Sequence, residues 1–423
     1  MDNIDLIVDY IKSGEKEKGN NFLGLEFEHL ILQKDGRAVC YFDDGGARDI
    51  LNFLVDKKGF NPIFEGDNIL GAQKEDYAIS IEPGGQLELS LAKKDNLPEI
   101  EKEILDFYKI VVPEVESYGN SLYALSFQPV SDIYEYKILP KERYHAMFDY
   151  FGNHGSMSRY MMKATASVQC SIDYMNEADY SSKYGMATRL SNVLYALFDN
   201  AAFRNNRPLD MKAFRAYIWE NTDAQRTGVL KKAFRPDFGY TDYAQAIMDV
   251  TAIFAYKKGH LERFDGTIGE ALKFDSSQKS IEQLLSMMFL DVRTKKIMEI
   301  RMIDAIPYPY NLGSIALIKN IFYNENNLYR MWNLFGDMTY KEHVRSREDM
   351  YKNGARTKIM GKTIARWGEE ILSGLDIAEE DKKYVESIVP IFTGDTLRDR
   401  MLSSYHNDRI LANAIEISKV KIN

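Results

Sequence analysis

The chain of 423 residues contains only two cysteines, Cys40 and Cys170, and has no excess of positive charge. Two cysteines this far apart in sequence cannot supply a disulfide framework or a set of zinc ligands, so we expect a reduced, cytoplasmic protein. The 54 lysines and arginines are outnumbered by 63 aspartates and glutamates, which leaves a net charge of −9. This acidic balance argues against a surface that follows the phosphates of a nucleic acid.

Long apolar runs are also missing. No stretch approaches the roughly 20 uninterrupted apolar residues that a membrane-spanning helix requires. The first residues, MDNIDLIVDY, are acidic where a signal peptide is basic. We therefore expect a soluble protein that neither crosses nor binds a membrane. Its 45% hydrophobic and 28% charged residues are typical of a folded chain rather than a disordered one.

Common nucleotide and metal motifs are absent too. The segment NGARTKIMGKT (353–363) looks like a P-loop at first, but six residues separate Gly354 from Gly361 where that loop needs four. No G-x-G-x-x-G follows a predicted strand. The six histidines form no H-x-x-x-H pair. The sequence therefore supports neither a P-loop, nor a Rossmann site, nor a zinc site.

The spacing of apolar residues predicts an α+β protein with an antiparallel or mixed sheet. Helices are predicted over 99–118 and 184–203, and mainly helices beyond about residue 340. Strands are predicted over 23–32, 77–82, 86–91, 121–128, 165–174 and 296–303. No repeat and no long linker interrupts the chain, so we expect one domain over 1–423, strand-rich over 20–305 and helix-rich over 310–423.

Four of the predicted strands place acidic or amide side chains on one face, because side chains two residues apart share a face. These side chains are Glu26 and Glu28, Gln86 and Glu88, Ser167, Gln169 and Ser171, and Glu299 with Arg301. The simplest interpretation of any one such strand is that its polar face is exposed to solvent. Against this, glutamate is depleted in strands. If the four faces converge, their carboxylates favour Mg²⁺, which commonly also binds substrate phosphates. Arg301 would then neutralise a phosphoryl group during transfer.

A series of motifs in order resembles the plant-type glutamate–cysteine ligases. That family also occurs in bacteria and is a branch of the glutamine synthetase-like carboxylate–amine ligases. The most specific motifs are ISIEPGGQLELS (79–90) and the W-x-x-T-D-x-x-R-T-G pattern within RAYIWENTDAQRTG (215–228). The others are Gly24-x-Glu26-x-Glu28, EGDNILGA (65–72), FQP (127–129), LPKERY (139–144), MMKATASVQCSID (161–173), DVTAIFAYKKG (249–259), MEIRMIDA (298–305) and TGDTLRDRML (393–402). The resemblance covers nearly the whole chain.

The resemblance implies a curved, largely antiparallel sheet that forms an active-site funnel, with helices outside. It also implies a ligase that uses ATP and Mg²⁺. In such enzymes the γ-carboxylate of glutamate attacks the γ-phosphate of ATP, and the amine of cysteine then displaces phosphate. The product, γ-glutamylcysteine, belongs to the first step of glutathione biosynthesis. The expected partners are therefore small molecules, and the protein is expected to be a monomer or a homodimer.

The same resemblance assigns roles to individual residues. It places metal ligation on Glu26, Glu28, Glu88 and Glu299, and nucleotide binding on Gln86, Gln169 and Arg301. It places substrate binding on Arg143, Lys163, Arg215, Trp219, Arg226 and Ile253. Glu299 and Arg301 would be the catalytic pair. The alternative for each arginine is a surface ion pair, and for Trp219 it is core packing.

Some positions depart from the plant pattern. Ile253 stands where the plant motif Asp-Val-Pro-Met-Tyr-Phe has a tyrosine on the acceptor side, and Lys163-Ala164-Thr165 replaces Leu-Arg-Thr. A ligase with a different amine acceptor is therefore one alternative. A non-catalytic relative that only binds nucleotide is another, and the presence of all four glutamates and Arg301 argues against it.

Overall fold

A nine-stranded sheet forms the centre of the part of the chain that the computed structural model describes, residues 3–75 and 77–422. Met1, Asp2, Asp76 and Asn423 of the predicted domain lie outside the described residues. The strands are β1 (Leu23–Leu32), β2 (Asn61–Glu65), β3 (Asn68–Gln73), β4 (Tyr77–Ile81), β5 (Leu87–Lys94), β6 (Ser121–Tyr123), β7 (Ser167–Ile172), β8 (Phe203–Arg204), β9 (Arg207–Pro208), β10 (Thr227–Gly228), β11 (Thr251–Lys257), β12 (His260–Thr267), β13 (Phe289–Leu290), β14 (Val292–Thr294), β15 (Met298–Asp304), β16 (Lys358–Ile359) and β17 (Lys362–Thr363).

The order of the strands in the large sheet is β14-β15-β7-β1-β5-β4-β3-β2, and β6 pairs with the end of β1. Every pairing within this sheet is antiparallel. The strands that were predicted lie at its centre. Strands β2 and β3, the β11–β12 hairpin and the edge strand β14 were not predicted, and the strand predicted over 121–128 is limited to β6.

Helices surround the sheet and make up most of the chain after residue 310, as predicted. They are α1 (Asn3–Lys12), α2 (Ala47–Lys58), α3 (Leu97–Ser117), α4 (Glu142–Phe151), α5 (Ser158–Ala164), α6 (Glu177–Leu197), α7 (Phe214–Glu220), α8 (Tyr240–Met248), α9 (Ile268–Ala271), α10 (Gln278–Ser286), α11 (Tyr310–Tyr323), α12 (Glu325–Phe335), α13 (Tyr340–Asn353), α14 (Ile364–Gly374), α15 (Lys382–Phe392), α16 (Leu397–Asp408) and α17 (Leu411–Ile415). None of the helices in the described ranges is long and apolar enough to span a bilayer.

Local signals explain where the two long helices begin. The side chain of Asn96 accepts a hydrogen bond from Glu99 N at the start of α3, and that of Asn176 accepts one from Asp179 N at the start of α6. Helix α3 continues through Pro113, so the helix predicted there is confirmed. Helix α6 was predicted over 184–203 but runs over Glu177–Leu197, and the residues after it form the turn that leads to β8.

The register of the sheet brings the predicted polar faces together. Glu28 on β1 lies directly opposite Glu88 on β5, and Glu26 lies opposite Gln169 on β7. On the other face of β1, Leu25 and Phe27 are only 3% and 1% exposed. The apolar core on that side is continuous with the packing of the C-terminal helices. The polar face is therefore free to line a site.

Candidate active site

A cavity of about 270 Å³ lies over the polar face of the sheet. Charged and amide groups from several strands and helices surround it: Glu26, Glu28, Glu82, Gln86, Glu88, Arg143, Gln169, Arg215, Arg293, Lys295 and Arg301. Trp219, Tyr144, Met147, Met161, Met162 and Phe289 provide its aromatic and apolar lining. Most of the residues predicted from the sequence thus converge on one cavity.

One wall of the cavity is acidic, and its carboxylates belong to Glu26, Glu28, Glu82 and Glu88. Glu88 Oε1 accepts hydrogen bonds from Ser80 Oγ and Ser90 Oγ, each at 2.9 Å, and Glu28 Oε2 accepts one from Ser167 N at 2.7 Å. Burial and repulsion between the acids raise the pKa of each of the four carboxyls to about 7. The wall is therefore an unfavourable place for four negative charges unless a cation lies among them.

Glu82 is not among the predicted metal ligands, although it lines the same wall. It opens the turn Glu82-Pro83-Gly84-Gly85, in which Gly85 N donates to Glu82 O at 2.9 Å and Gly85 has a φ of +94°. Glycine adopts this positive φ without steric cost, so Gly85 suits the tight turn. Ser80 lies opposite Glu88 in the sheet, and Glu82 is two residues beyond it on the same face. That alternation is the signal that could have identified Glu82.

The opposite end of the cavity is basic, because Arg293, Lys295 and Arg301 line it. All three surround Glu299, a predicted metal ligand and catalytic residue that is itself not among the residues lining the cavity. Glu299 Oε2 pairs with Arg293 Nε on the neighbouring strand and lies 3.6 Å from an Arg301 nitrogen, while Lys295 Nζ is 2.9 Å from Glu299 Oε1. Burial alone would raise the pKa of Glu299, but these three cations lower it to about 2. The cluster has three positive charges and one negative charge, so it suits an anionic ligand.

Arg293 and Lys295 line the cavity but are not among the predicted site residues. Arg293 belongs to β14, which was not predicted, and Lys295 follows directly after that strand. The signal for both is the register with β15, in which Arg293 lies directly opposite Glu299. A strand of three residues at the edge of a sheet is too short to show an alternating pattern.

Gln169 connects the acidic wall with the basic end. Its Nε2 donates to Glu28 Oε1 at 3.1 Å, and its Oε1 accepts a hydrogen bond from Arg301. The guanidinium carbon of Arg301 also lies 5.7 Å from the centre of the Trp219 ring. Gln169 therefore fixes the orientation of Arg301 relative to the carboxylates.

Three further predicted residues present hydrogen-bond donors that are not used within the described residues. These donors are Arg143 Nε, Arg215 Nη1 and Trp219 Nε1. Arg215 Nη1 makes no hydrogen bond but forms an ion pair with Asp304 Oδ1 at 3.6 Å, while Arg215 Nη2 donates to Arg301 O at 2.7 Å. Burial lowers the pKa of Arg143. Buried donors without hydrogen-bond partners beside a cavity, such as Arg143 Nε and Trp219 Nε1, are suited to carboxylate or phosphate oxygens of a substrate.

The structure does not bring Arg226 to the cavity. Its guanidinium is completely buried, lies 2.7 Å from Asp223 Oδ2, and donates to Tyr150 Oη at 2.9 Å and to Met287 O at 3.1 Å. It also donates to Thr251 O at 2.7 Å. In this conformation Arg226 joins the loop after α7 to its surroundings, and substrate binding by Arg226 stays a prediction.

Lys163 and Ile253 are not among the residues that line the cavity either. Lys163 Nζ donates to the carbonyl oxygens of Ile133 and Tyr136, and Ile253 is packed in the core with 2% of its surface exposed. Gln86 does line the cavity, but its Nε2 donates to Thr165 O at 2.9 Å and its Oε1 accepts from Gly84 N at 2.8 Å. The contacts of Lys163 and Gln86 hold the loops of the site.

The predicted magnesium site fits the acidic wall in its donor chemistry. Carboxylate oxygens are the ligands that Mg²⁺ prefers, and Glu26, Glu28, Glu82 and Glu88 supply them on adjacent strands and their turn. Within residues 3–75 and 77–422, no three such side chains are already close enough to form a metal cluster. Glu299 differs from the other four because its carboxylate is paired with cations.

Comparisons with known proteins identify relatives of the whole chain. The family model described as glutamate–cysteine ligase family 2 (GCS2) matches residues 22–384. The chloroplastic glutamate–cysteine ligase of Medicago truncatula is 28% identical over 415 residues, which cover 95% of this chain and 81% of that protein. The chloroplastic glutamate–cysteine ligase of Arabidopsis thaliana is 27% identical over 419 residues, with 96% and 80% covered.

A solved structure shows the same fold. The crystal structure of the Francisella tularensis glutamate–cysteine ligase in complex with AMP aligns with a TM-score of 0.61, and the alignment covers 96% of this chain and 88% of that chain at 9% identity. The predicted α+β fold with a largely antiparallel sheet is therefore confirmed, and this glutamate–cysteine ligase shares it. Because the curated relatives are chloroplastic, the cytoplasmic location stays a prediction.

Proposed function

Because the chain belongs to glutamate–cysteine ligase family 2, an enzyme family, we propose that it joins the γ-carboxylate of L-glutamate to the amine of L-cysteine. The reaction consumes ATP in the presence of Mg²⁺ and yields γ-glutamylcysteine, ADP and phosphate. The product would enter glutathione biosynthesis.

The observation that supports this proposal is the division of one cavity into an acidic wall and a basic end. Acyl-phosphate chemistry needs two negatively charged reactants, a carboxylate and a triphosphate, to be brought together. The four carboxylates of Glu26, Glu28, Glu82 and Glu88 suit a divalent cation, and the cluster of Arg293, Lys295 and Arg301 suits phosphate oxygens. Both sets face the same space.

Each group then has a role in positioning and charge neutralisation. A bound Mg²⁺ would be held by the acidic wall and would neutralise phosphate oxygens. Arg301, oriented by Gln169, neutralises negative charge on the phosphoryl group during transfer. Arg143 and Arg215 offer guanidinium donors to the oxyanions of the bound substrates. No protein nucleophile is needed, because the glutamate carboxylate attacks phosphorus and the amine attacks the acyl carbon.

The proposal is tested with the purified protein, ATP, Mg²⁺, glutamate and a panel of amines. We expect ADP release that depends on cysteine, with γ-glutamylcysteine identified by mass spectrometry. Arg301→Met should abolish turnover, whereas the matched control Arg263→Met, at an exposed position on β12, should not. Turnover with another amine only would replace cysteine as the acceptor. No ADP with any amine would overturn the ligase proposal.

A further inference from the structure

Helix α7 (Phe214–Glu220) carries two residues of the cavity, Arg215 and Trp219. The start of this helix is held by a residue from another segment of the chain. Ala213, the residue before the helix, has a φ of +47° and no side chain that could cap the helix. Its N–H donates instead to Asp199 Oδ2 at 2.7 Å. Asp199 follows closely after the end of α6. A buried carboxylate thus caps the helix that places Arg215.

The ion-pair partner of Asp199 comes from the C-terminal part of the chain. Arg398 on α16 lies with its Nε 3.7 Å from Asp199 Oδ2, and both side chains are 3% exposed. The backbone N–H of Arg398 donates to Asp199 O at 3.1 Å, and its guanidinium also donates to Leu209 O in the segment that leads to α7. Arg398 therefore connects α16 with both the end of α6 and the approach to α7.

The residue after Asp199, Asn200, contacts the acidic partner of Arg215. Asn200 N donates to Asp304 Oδ2 at 2.9 Å, and Asp304 Oδ1 lies 3.6 Å from Arg215 Nη1. Two consecutive residues of one turn thus fix the start of α7 and the acidic partner of its arginine. A shift of this turn would move Arg215 relative to the cavity.

We propose that Arg398 is a positioning residue for Arg215. By neutralising Asp199 it keeps the start of α7 in place, so that the Arg215 guanidinium meets an oxyanion of the substrate, either an amino-acid carboxylate or a nucleotide phosphate. This role rests on the proposed function, since it requires Arg215 to bind a substrate. It gives a function to the motif TGDTLRDRML, which lies outside the cavity.

The energetic reason lies in the burial of Asp199. A buried carboxylate without a counter-charge is strongly unfavourable, and it takes up a proton or moves toward water. Burial raises the pKa of Asp199 to about 7 even though Arg398 lowers it. Without Arg398, the carboxylate would lose the charge that strengthens its hydrogen bond to Ala213 N.

The test measures binding rather than turnover. Dissociation constants for glutamate and for a non-hydrolysable ATP analogue with Mg²⁺ are determined by calorimetry for the unmodified protein, and Arg215→Lys shows which ligand Arg215 binds. Arg398→Met should weaken that same ligand about tenfold and leave the other within about twofold. Arg398→Lys should restore most of the affinity. Arg400→Met, which removes an arginine on the same helix that pairs with Asp395, is the matched control and should change neither.

The double variant Arg215→Lys/Arg398→Met should bind no more weakly than Arg215→Lys alone, because both changes remove the same contact. Additive losses, equal weakening of both ligands or unchanged affinities would overturn the positioning role. If Arg398→Met does not fold, Asp199→Asn provides the same readout: selective weakening supports the role, and unchanged affinities overturn it. An unmodified protein that binds neither ligand would overturn the proposed function itself, and this role with it.

Discussion

Gln169 Nε2 lies 3.1 Å from Glu28 Oε1, across the boundary between β7 and β1. The same side chain accepts a hydrogen bond from Arg301, so one amide joins a carboxylate of the acidic wall to the arginine of the basic end. An amide is the group that can serve both partners at once, since it offers a donor to the carboxylate and an acceptor to the guanidinium.

Gln169→Ala should reduce kcat/KM by about tenfold to a hundredfold, because it removes the hydrogen bond that orients Arg301, and one hydrogen bond to a charged group contributes roughly 1.5–3 kcal/mol. Steady-state kinetics with ATP and glutamate check this. Gln73→Ala, at the exposed end of β3, is the matched control. A kcat/KM for Gln169→Ala that equals the control value would contradict the bridging role.

Glu82→Gln should raise the Mg²⁺ concentration needed for half-maximal activity by about tenfold or more, because one charged oxygen ligand is replaced by a neutral one. Titration of the initial rate with Mg²⁺ at saturating ATP measures the change. Glu75→Gln, an exposed residue between β3 and β4, should leave the titration unchanged. An unaltered Mg²⁺ dependence in Glu82→Gln would remove Glu82 from the metal site.

Carboxylates usually make the folded state more stable as the pH rises, and the four acids of the wall should have the opposite effect. Burial and mutual repulsion raise the pKa of Glu26, Glu28, Glu82 and Glu88 to about 7, whereas the unfolded chain ionises near 4.5. Their protons stabilise the folded state at low pH, and this contribution is lost as the pH rises through about 7. In a chelator, the unfolding midpoint should therefore be higher near about pH 5.5 than near about pH 8.

Magnesium provides the control for this effect. A divalent cation favours the ionised carboxylates, so added Mg²⁺ should raise the unfolding midpoint more at the higher pH than at the lower one. Replacing Glu82 and Glu88 together by glutamine should weaken both trends. If the unfolding midpoint of the unmodified protein in chelator instead rises steadily with pH, the assigned environment of the four acids is contradicted.

Glu299→Gln should abolish ligation and lower the free energy of unfolding by about 3–5 kcal/mol, because it leaves Arg293, Lys295 and Arg301 without their shared anion. Urea unfolding and the ADP assay measure the two effects. The pair Arg293→Met/Glu299→Gln removes one of the stranded cations as well, so its loss of stability should be smaller than the sum of the single losses. An additive result would mean that the two residues are not coupled.

The central strands could be predicted because the alternation of Glu26 with Phe27 and Glu28 defines two faces with opposite chemistry. The convergence of four such faces does not follow from the sequence alone, because the strand order that produces it depends on contacts between distant segments. Arg293 and Lys295 were not predicted for a different reason: β14 has only three residues, which are too few to show an alternating pattern, although the strand pairs with β15 directly after it. Arg226 is the opposite case, a residue that was predicted at the site and does not line the cavity. Its motif is specific, but the motif does not reveal that the donors of Arg226 bind other groups of the protein.

Helix α6 is buried along most of its length, with the sheet on one side and helices α12, α13 and α14 on the other. Its Asn192 donates to His343 O and Ser346 Oγ of α13, while Tyr184 Oη and Tyr195 Oη bond Val292 O and Asp291 beside the basic end of the cavity. Helix α6 is thus packed against both the sheet that carries the site and the helices of the later part of the chain. A truncation that removes α12, α13 and α14 would expose one side of α6. Because the other side of α6 supports the residues beside the basic end of the cavity, the site would be disturbed as well.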